Sequence, residues 1–273
     1  MQTRCRSFST LSVVVVVVGA LSVAAAGAAQ PSNPPAYQIQ SLVKTGDPVG
    51  DLTIGPATTD GMWVMGLNDQ GQVLFSPGSD AAQSNLLAEY SRGAPVPIAL
   101  PGQDGPGGKW PRQIDYRIPM NLNQRGSVAF NLINEGGASI GIFRWDGDLR
   151  QITPVALPGM PAADGLTFTP GAFTGTAINN SNEVAFAHDV KDAAGKALPQ
   201  CLFFLGRDGV LQVVARPGQA LPGVGTVSTA YEVSLNDAGV VGFVLHLTNG
   251  GIRLCLWEEG SVTALSSNIA VVE

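Results

Sequence analysis

Asn123-Gln-Arg-Gly-Ser-Val-Ala-Phe130 decides how the chain reads, because degraded copies of it recur along the sequence. They are Asn68-Asp-Gln-Gly-Gln-Val-Leu-Phe75, Asn179-Asn-Ser-Asn-Glu-Val-Ala-Phe186 and Asn236-Asp-Ala-Gly-Val-Val-Gly-Phe243, so the leading Asn advances by 55, 56 and 57 residues. A period this steady marks a repeat architecture in which each copy is one supersecondary unit. Within the octet, Asn can hydrogen-bond its own backbone at the start of a turn. Gly in the fourth place (Gly71, Gly126, Gly239) takes the positive φ that a Cβ resists. Asn182 replaces that Gly in the third copy, and Asn is the next most tolerant residue there.

Working outward, the residues one, three and five places before each Asn alternate in the manner of a half-buried strand. They are Leu67, Met65 and Trp63; Leu122, Met120 and Ile118; Ile178, Thr176 and Thr174; Leu235, Val233 and Tyr231. The returning strand alternates again through Val128, Phe130 and Leu132, or Val241, Phe243 and Leu245, which makes Phe75, Phe130, Phe186 and Phe243 the expected repeat core. A third strand ends on Tyr90, Trp145, Leu205 or Trp257 before a polar turn. A fourth runs to a second landmark, Gly46, Gly102, Gly159 and Gly218, spaced by 56, 57 and 59 residues. Each unit is thus four antiparallel strands. The expected fold is all-β, with tandem four-stranded repeats of about 56 residues in a β-propeller-like arrangement of four blades, or part of a larger propeller. Gln38–Val43 and Ser261–Leu265 compete for one closing place, and a closed ring of four is the preferred expectation.

The Asn-x-x-Gly-x-Val-Ala-Phe octet resembles the signature of the bacterial NxxGxxAF tandem-repeat proteins, over about residues 40–265. The second copy matches in full, the third lacks the Gly, and the first and fourth carry Leu74 and Gly242 in place of Ala. The resemblance implies an exported, often surface-associated repeat protein. It carries over no catalytic residue, since that family is defined by its repeat. Its members often have more copies and a sorting tail, whereas this sequence shows four copies and stops at Glu273.

The first 29 residues read as a secretory signal: Arg4 and Arg6 ahead of an apolar run from Leu11 to Val23, then small residues through Ala29. The apolar core is shorter than the ~20 residues a membrane span needs. Residues 30–40 form a Pro-rich linker, 41–265 the repeat domain and 266–273 a tail. The expected location is secreted, extracellular or periplasmic, with no membrane span once the signal is removed. Losing Arg4 and Arg6 leaves 13 of the 15 basic residues against 21 acidic ones, a net charge of −8. With no basic cluster, such a chain is a poor partner for nucleic acid.

Sites with chemistry are few. Gly137-Ala-Ser-Ile-Gly141 has the spacing of a serine-hydrolase elbow, but a strand-like run follows where that motif needs a helix, so a turn between strands is expected. His188 and His246 are expected on opposite strand faces, away from any Cys, which disfavours zinc. Counting back from the following turn Gly, Cys201 and Cys255 fall at opposite parity, which argues for two buried thiols rather than a disulfide. No cofactor is expected. Calcium is the metal that the turn carboxylates Asp69, Asp146, Asp148, Asp208 and Asp237 would suit, although no calcium-loop motif is present. Trp110, at the far end of the Gly-rich stretch from Pro101 to Arg112, is the one candidate binding residue: exposed it would stack on a sugar or partner side chain, tucked over the rim it would be structural. The functional expectation is an exported, non-enzymatic interaction or structural module with an unknown protein or glycan partner. The alternatives are a propeller carbohydrate-active hydrolase or lyase, with Asp69 and Asp237 as facing carboxylates, and a lectin-like module.

Overall fold

A computed structural model describes residues 15–16, 40–55, 63–76, 87–110, 120–134, 138–171 and 175–265. Most of residues 1–29, read above as a signal, residues 30–39 of the expected linker, Ile118, Thr174, Gly137 and residues 266–273 lie outside the described residues. The fold is all-β and of the propeller type. The first sheet holds Trp63–Leu67, Val73–Ser76, Leu87–Ser91 and Ala94–Ala99 in sequential antiparallel order. The second holds Val128–Ile133, Ser139–Asp146 and Gln151–Ala156, with Leu122 bridged to Val128 on its inner edge. In the third, Thr167–Phe168 and Thr176–Ile178 both pair with Val184–Lys191, followed by Ala197–Leu205 and Leu211–Ala215. The fourth runs Ala220–Leu221, Gly225–Leu235, Val241–Leu247, Ile252–Glu258 and Ser261–Ala264.

Alternation places one Phe per sheet at 0 to 2% exposure: Phe75, Phe130, Phe186 and Phe243. Their cross-strand partners are Ala88, Phe143, Phe203 and Cys255. Where the partner is also Phe the rings stack, with centroids 5.7 Å apart for Phe130–Phe143 and 5.5 Å for Phe186–Phe203. These faces pack on the preceding sheet. Leu74 and Leu87 of the first sheet join Val128 and Phe130 of the second; Ala129 and Ile142 of the second join Val184 and Phe186 of the third; Ala185 and Leu202 of the third join Val241 and Phe243 of the fourth. The sheets therefore follow one another face to face in chain order.

Each second-landmark Gly opens a small hairpin that the strand pattern alone does not show. Gly46, Gly102, Gly159 and Gly218 donate to the carbonyls of Ile54, Trp110, Phe168 and Val227 at 2.8, 3.2, 2.9 and 2.8 Å. All four acceptor residues are buried, at 4% exposure or less, and each lies over the Phe of its own sheet. They act as plugs, one per blade.

The repeat Asn has two jobs. Its Oδ1 accepts the backbone N–H groups two and four residues on, as Asn123 does from Arg125 at 2.9 Å and Ser127 at 2.8 Å. The fourth residue of each turn adopts positive φ: Gly71 at 74°, Gly126 at 73°, Asn182 at 61° and Gly239 at 81°. The Asn Nδ2 then reaches the next sheet. Asn68 donates to the Asn123 carbonyl at 2.8 Å, Asn123 to that of Asn179 at 2.9 Å and Asn179 to that of Asn236 at 3.0 Å. A parallel rail joins the following residues: the backbone N–H of Asp69, Gln124 and Asn180 donates to the side chains of Gln124, Asn180 and Asp237 at 2.9, 2.7 and 2.9 Å.

The expected closed ring of four is not what the sheets make. Among the described residues, no hydrophobic cluster joins the first sheet to the fourth, and the ladder runs from Asn68 to Asn236 without returning. The reason lies in Gln40–Val43. Val43 stands three residues before Gly46, as Ala99, Ala156 and Ala215 stand before theirs, and it is buried against Phe75 and Ala88. It holds the place of a preceding blade's outer strand, while the fourth sheet already has its own in Ser261–Ala264.

The ladder sets an expectation for denaturation. Asn123→Ala, which orphans two turn donors and removes the inter-sheet bonds to the Asn179 carbonyl and Asn182 Oδ1, should destabilise by about 2–4 kcal/mol, and Asn236→Ala, with no sheet beyond it among the described residues, by about 1 kcal/mol. Urea titration of the two variants checks the ordering; equal losses would remove the inter-sheet bond from the account.

Candidate functional site

Where the Asn turns and the polar turns after the third strands meet, a cleft of about 380 Å³ opens between the first and second sheets. A narrower part of about 180 Å³ reaches Glu89, which is 3% exposed. Glu89 lies one residue before the strand-ending Tyr90, a place held by Arg144 and Phe204 in the next two sheets, so this acid is peculiar to one interface. Gln72 links it to the ladder: its Oε1 accepts from Asn68 Nδ2 at 2.5 Å and its Nε2 donates to Glu89 Oε1 at 2.6 Å. Burial pushes the Glu89 carboxyl above the ordinary carboxylate range, and hydrogen bonds from Ser91 and Gln72 only partly offset it. The Trp145 indole N–H approaches the same carboxyl without completing hydrogen-bond geometry. Arg92, Arg125 and Arg150 line the cleft, and Arg125 is bridged to Asp148 at 2.6 Å. That bridge is half-exposed and is worth at most about 1 kcal/mol. The cleft offers guanidinium donors and one buried carboxyl, a set suited to binding a polar, hydroxyl-bearing or anionic ligand.

A second polar cluster is sealed between the second and third sheets. Ser139, from the elbow-like pentapeptide, begins a strand and no helix follows it, as the sequence implied. The unforeseen feature is that its Oγ lies 3.2 Å from His188 Nε2 and 2.6 Å from Asn131 Oδ1. One hydroxyl proton cannot serve both acceptors. His188 Nδ1 sits 3.0 Å from the Asp189 carbonyl, which only an N–H can satisfy, so a neutral ring presents Nε2 as an acceptor. Turning the Asn131 amide end for end lets its nitrogen donate to Ser139 and Ser139 donate to His188, and it gives a partner to the Nδ2 that otherwise lacks one. Ser139 and His188 are both 0% exposed, so the pair has no route to substrate.

Trp110 requires a correction. Its ring is 4% exposed, with centroids 6.4 Å from Phe130 and 5.8 Å from Phe143, so no face is open for stacking on a ligand. Trp110 is the second sheet's plug. The glycines around it follow from that, since a Cβ on Gly105 would sit 2.1 Å from the indole.

The cysteines are correctly read as free and buried, but the parity argument fails. Leu205 pairs with Val184 and Trp257 with Val241 at equivalent places, yet the turn Gly follows four residues after Leu205 and three after Trp257. Counted from the strand, both cysteines share the face of the repeat Phe. One whole sheet separates them, because Cys201 belongs to the interface before the third sheet and Cys255 to the one after it. Burial pushes their thiols up to about 12 and about 11. His188 does lie directly across from Cys201, contrary to the expected separation, while His246 faces the other way and meets Tyr231. Among the described residues no group of three His, Cys, Asp or Glu could hold a metal ion. The turn carboxylates serve backbone instead: Asp146 caps Leu149 N–H at 2.9 Å and Asp208 caps Val210 N–H at 3.0 Å. Asp69 and Asp237 belong to the first and the last sheets and do not pair across the ladder.

The stack ends differently from its interior. Asn236 is exposed, whereas Asn68, Asn123 and Asn179 are 5, 5 and 3% exposed. Leu254 of the fourth sheet is 39% exposed where its counterparts Leu87, Ile142 and Leu202 are 0%. Val244 and Leu256 share its outward face and are half-buried. At the other end Leu67 is 50% exposed, while its counterparts Leu122 and Ile178 are 9 and 4%. Among the described residues, no helix is long and apolar enough to cross a membrane.

The profile of a family of unknown function, DUF7453, matches residues 36–257. No curated protein matches the sequence. Among solved structures, the chain is similar to TolB from Acinetobacter baumannii at 13% identity and a TM-score of 0.45, covering 84% of this chain and 46% of that one. It is similar to a putative TolB from Agrobacterium tumefaciens at 13% identity and a TM-score of 0.43, covering 86% and 71%. A mutant of the Aleuria aurantia lectin, solved in complex with α-methyl-L-fucoside, gives 12% identity and a TM-score of 0.38, covering 76% and 63%. The chain thus spans about half the length of the first TolB.

The buried His188 makes stability depend on pH. Burial lowers its pKa from the ordinary 6.5, so the unfolded chain takes up a proton that the fold resists. Its contribution is whole above pH 6.5 and is lost as pH falls from there towards the lowered value. The melting temperature should drop between pH 7 and pH 5, and the drop should shrink in His188→Gln; identical profiles would show that another group governs the acid limb.

Proposed function

The chain belongs to DUF7453, a family of unknown function, and we propose that it is an exported, non-enzymatic interaction module whose partner continues the blade stack beyond the fourth sheet. The observation that carries this reading is the open end of the ladder: Asn236 is exposed and the outward Val244 is half-buried, whereas their interior counterparts Asn68, Asn123 and Asn179, and Ser76, Asn131 and Ala187, are buried, and the apolar Leu256 shares that outward face. An apolar sheet face with aligned hydrogen-bond donors is a surface built to receive another sheet. Export is supported by Arg4, Arg6 and the Leu11–Val23 run, and by the resemblance of the four octets to the NxxGxxAF repeat proteins. Among the described residues the Ser139–His188 pair is sealed from solvent, which favours binding over turnover where fold alone does not choose.

A photo-crosslinking residue at position 256 tests the surface in cells that export the protein. A discrete adduct from 256, absent from a control at the 68%-exposed Leu149, is expected, on a chain whose N-terminus begins near Ala29. Equal or absent labelling at the two positions would overturn the reading.

The cleft between the first two sheets favours a second reading, a lectin-like module for an acidic saccharide, with Arg92 and Arg150 as donors and Glu89 accepting from sugar hydroxyls. Calorimetric titration with glucuronic acid should then show binding lost in Arg92→Ala, and unchanged heats in that variant would dispose of the cleft as its site.

A further inference from the structure

Building on the reading of the fourth-sheet face as a docking surface, we infer that its partner is a second copy of this chain, joined head to tail. The two ends of the stack are complementary in hydrogen bonding. Each interior joint consists of an Asn Nδ2 given to the next Asn carbonyl and a backbone N–H given to the next side-chain oxygen. At the fourth sheet the donors of such a joint, Asn236 Nδ2 and the Asp237 N–H, have no acceptor among the described residues. At the first sheet the acceptors remain: among the described residues the Asn68 carbonyl receives only the Gly71 N–H of its own turn, and the Asp69 carboxylate receives nothing. Donors at one end and acceptors at the other are what a repeated joint requires.

The apolar surfaces match in the same sense. In the interior, the backbone of Gly66 on one sheet lies against Leu122 on the next, so closely that a Cβ on Gly66 would be 3.1 Å from that of Leu122. Leu67 is the first-sheet equivalent of Leu122, and at 50% exposure it is the knob without a cover. The equivalent of Gly66 in the fourth sheet is Ser234, beside the small Gly242 and the outward Leu256. Gly71 shows the same vacancy: Cβ atoms on Gly126 and Gly239 would meet Gln72 and Glu183 of the preceding sheet, whereas one on Gly71 would meet nothing within 4 Å.

Head-to-tail joints close only as a ring. Propellers hold roughly four to eight blades, and copies that each bring four reach eight with two chains. Gln40–Ser41 pairs with Val15–Val16 within the chain. Once the segment read as a signal is removed, Gln40–Val43 is free to run beside Ser261–Ala264 of the other copy, whose outer edge carries no strand among the described residues, latching the ring at both joints.

Sedimentation equilibrium on protein expressed from the full chain reads the outcome, with Leu67→Lys and Leu256→Lys as variants at opposite ends of the stack. The wild type should have the mass of two copies and not grow further with concentration. Each variant alone should be monomeric with an unchanged circular dichroism spectrum, and an equimolar mixture of the two should recover a dimer, since one joint in it carries neither lysine. A wild-type monomer would overturn the inference while leaving a crosslink at position 256 to another partner intact. Disruption by Leu256→Lys but not Leu67→Lys would also overturn it, because that pattern belongs to a face-to-face dimer. A variant that lost its sheet spectrum would be replaced by Asn236→Asp, which removes the donor without touching the apolar face and must weaken the dimer at least tenfold.

Discussion

The structure depends on one side chain used twice. An Asn amide carries an acceptor and a donor on the same planar group. Here the acceptor closes a turn within one sheet while the donor reaches the carbonyl of the same residue in the next. Ser or Asp could close the turn, but neither could also supply the NH2 group. The coupling therefore fixes both the conformation of each hairpin and the distance between neighbouring sheets. It does so where the sheets converge and their backbones, stripped of water, need partners.

From that line the apolar parts are placed outward. The repeat Phe follows seven residues after the Asn and lands on the face towards the preceding sheet, where its plug covers it. The plug position tolerates Ile54, Trp110, Phe168 or Val227 because the hairpin that brings it is held by backbone bonds, and the volume is shared with the residue across from the Phe. Polar chemistry enters at the remaining face. The residue before the third-strand terminus is Glu89 in the first joint, Arg144 in the second, where it donates to the Asn182 carbonyl at 3.1 Å, and Phe204 in the third, 5.0 Å from Trp257. The joints thus grade from polar to apolar along the chain, and the open cleft lies at the polar one.

What was legible in the sequence is what each repeat states about itself: the Asn, the positive-φ residue, the Phe and the alternation around them. Asn182 in place of Gly was readable because the requirement is a local dihedral angle. What joins one repeat to another was not readable. Ser139 and His188 are 49 residues apart and meet only because the second and third sheets are stacked. Trp110 resisted reading for a related reason: its equivalents share a hydrogen-bond pattern and not a residue type, so a lone Trp in a Gly-rich loop resembled a binding residue. The cysteine parity failed because it was counted across a turn whose length varies by one residue, and one residue reverses a strand's faces.

The same distinction bears on the ends of the stack. Repeat arrays gain stability from neighbour interfaces, so their terminal units need a cover with different chemistry on its outer side. At the first sheet the hairpin through Val49 and Ile54 supplies part of a cover, burying Phe75 to 2% exposure and leaving Leu67 and Val64 outside it. At the fourth sheet the described residues supply none, and the outward Val244 and Leu256 are apolar where the first joint carries Glu89 and the second Arg144, in line with the apolar third joint at Phe204. An end meant to face water would be expected to exchange Val244 and Leu256 for charged residues, as exposed strands commonly do. That it does not, while the ladder beside it still presents its donors, supports the proposal of a partner at this end on composition as well as geometry.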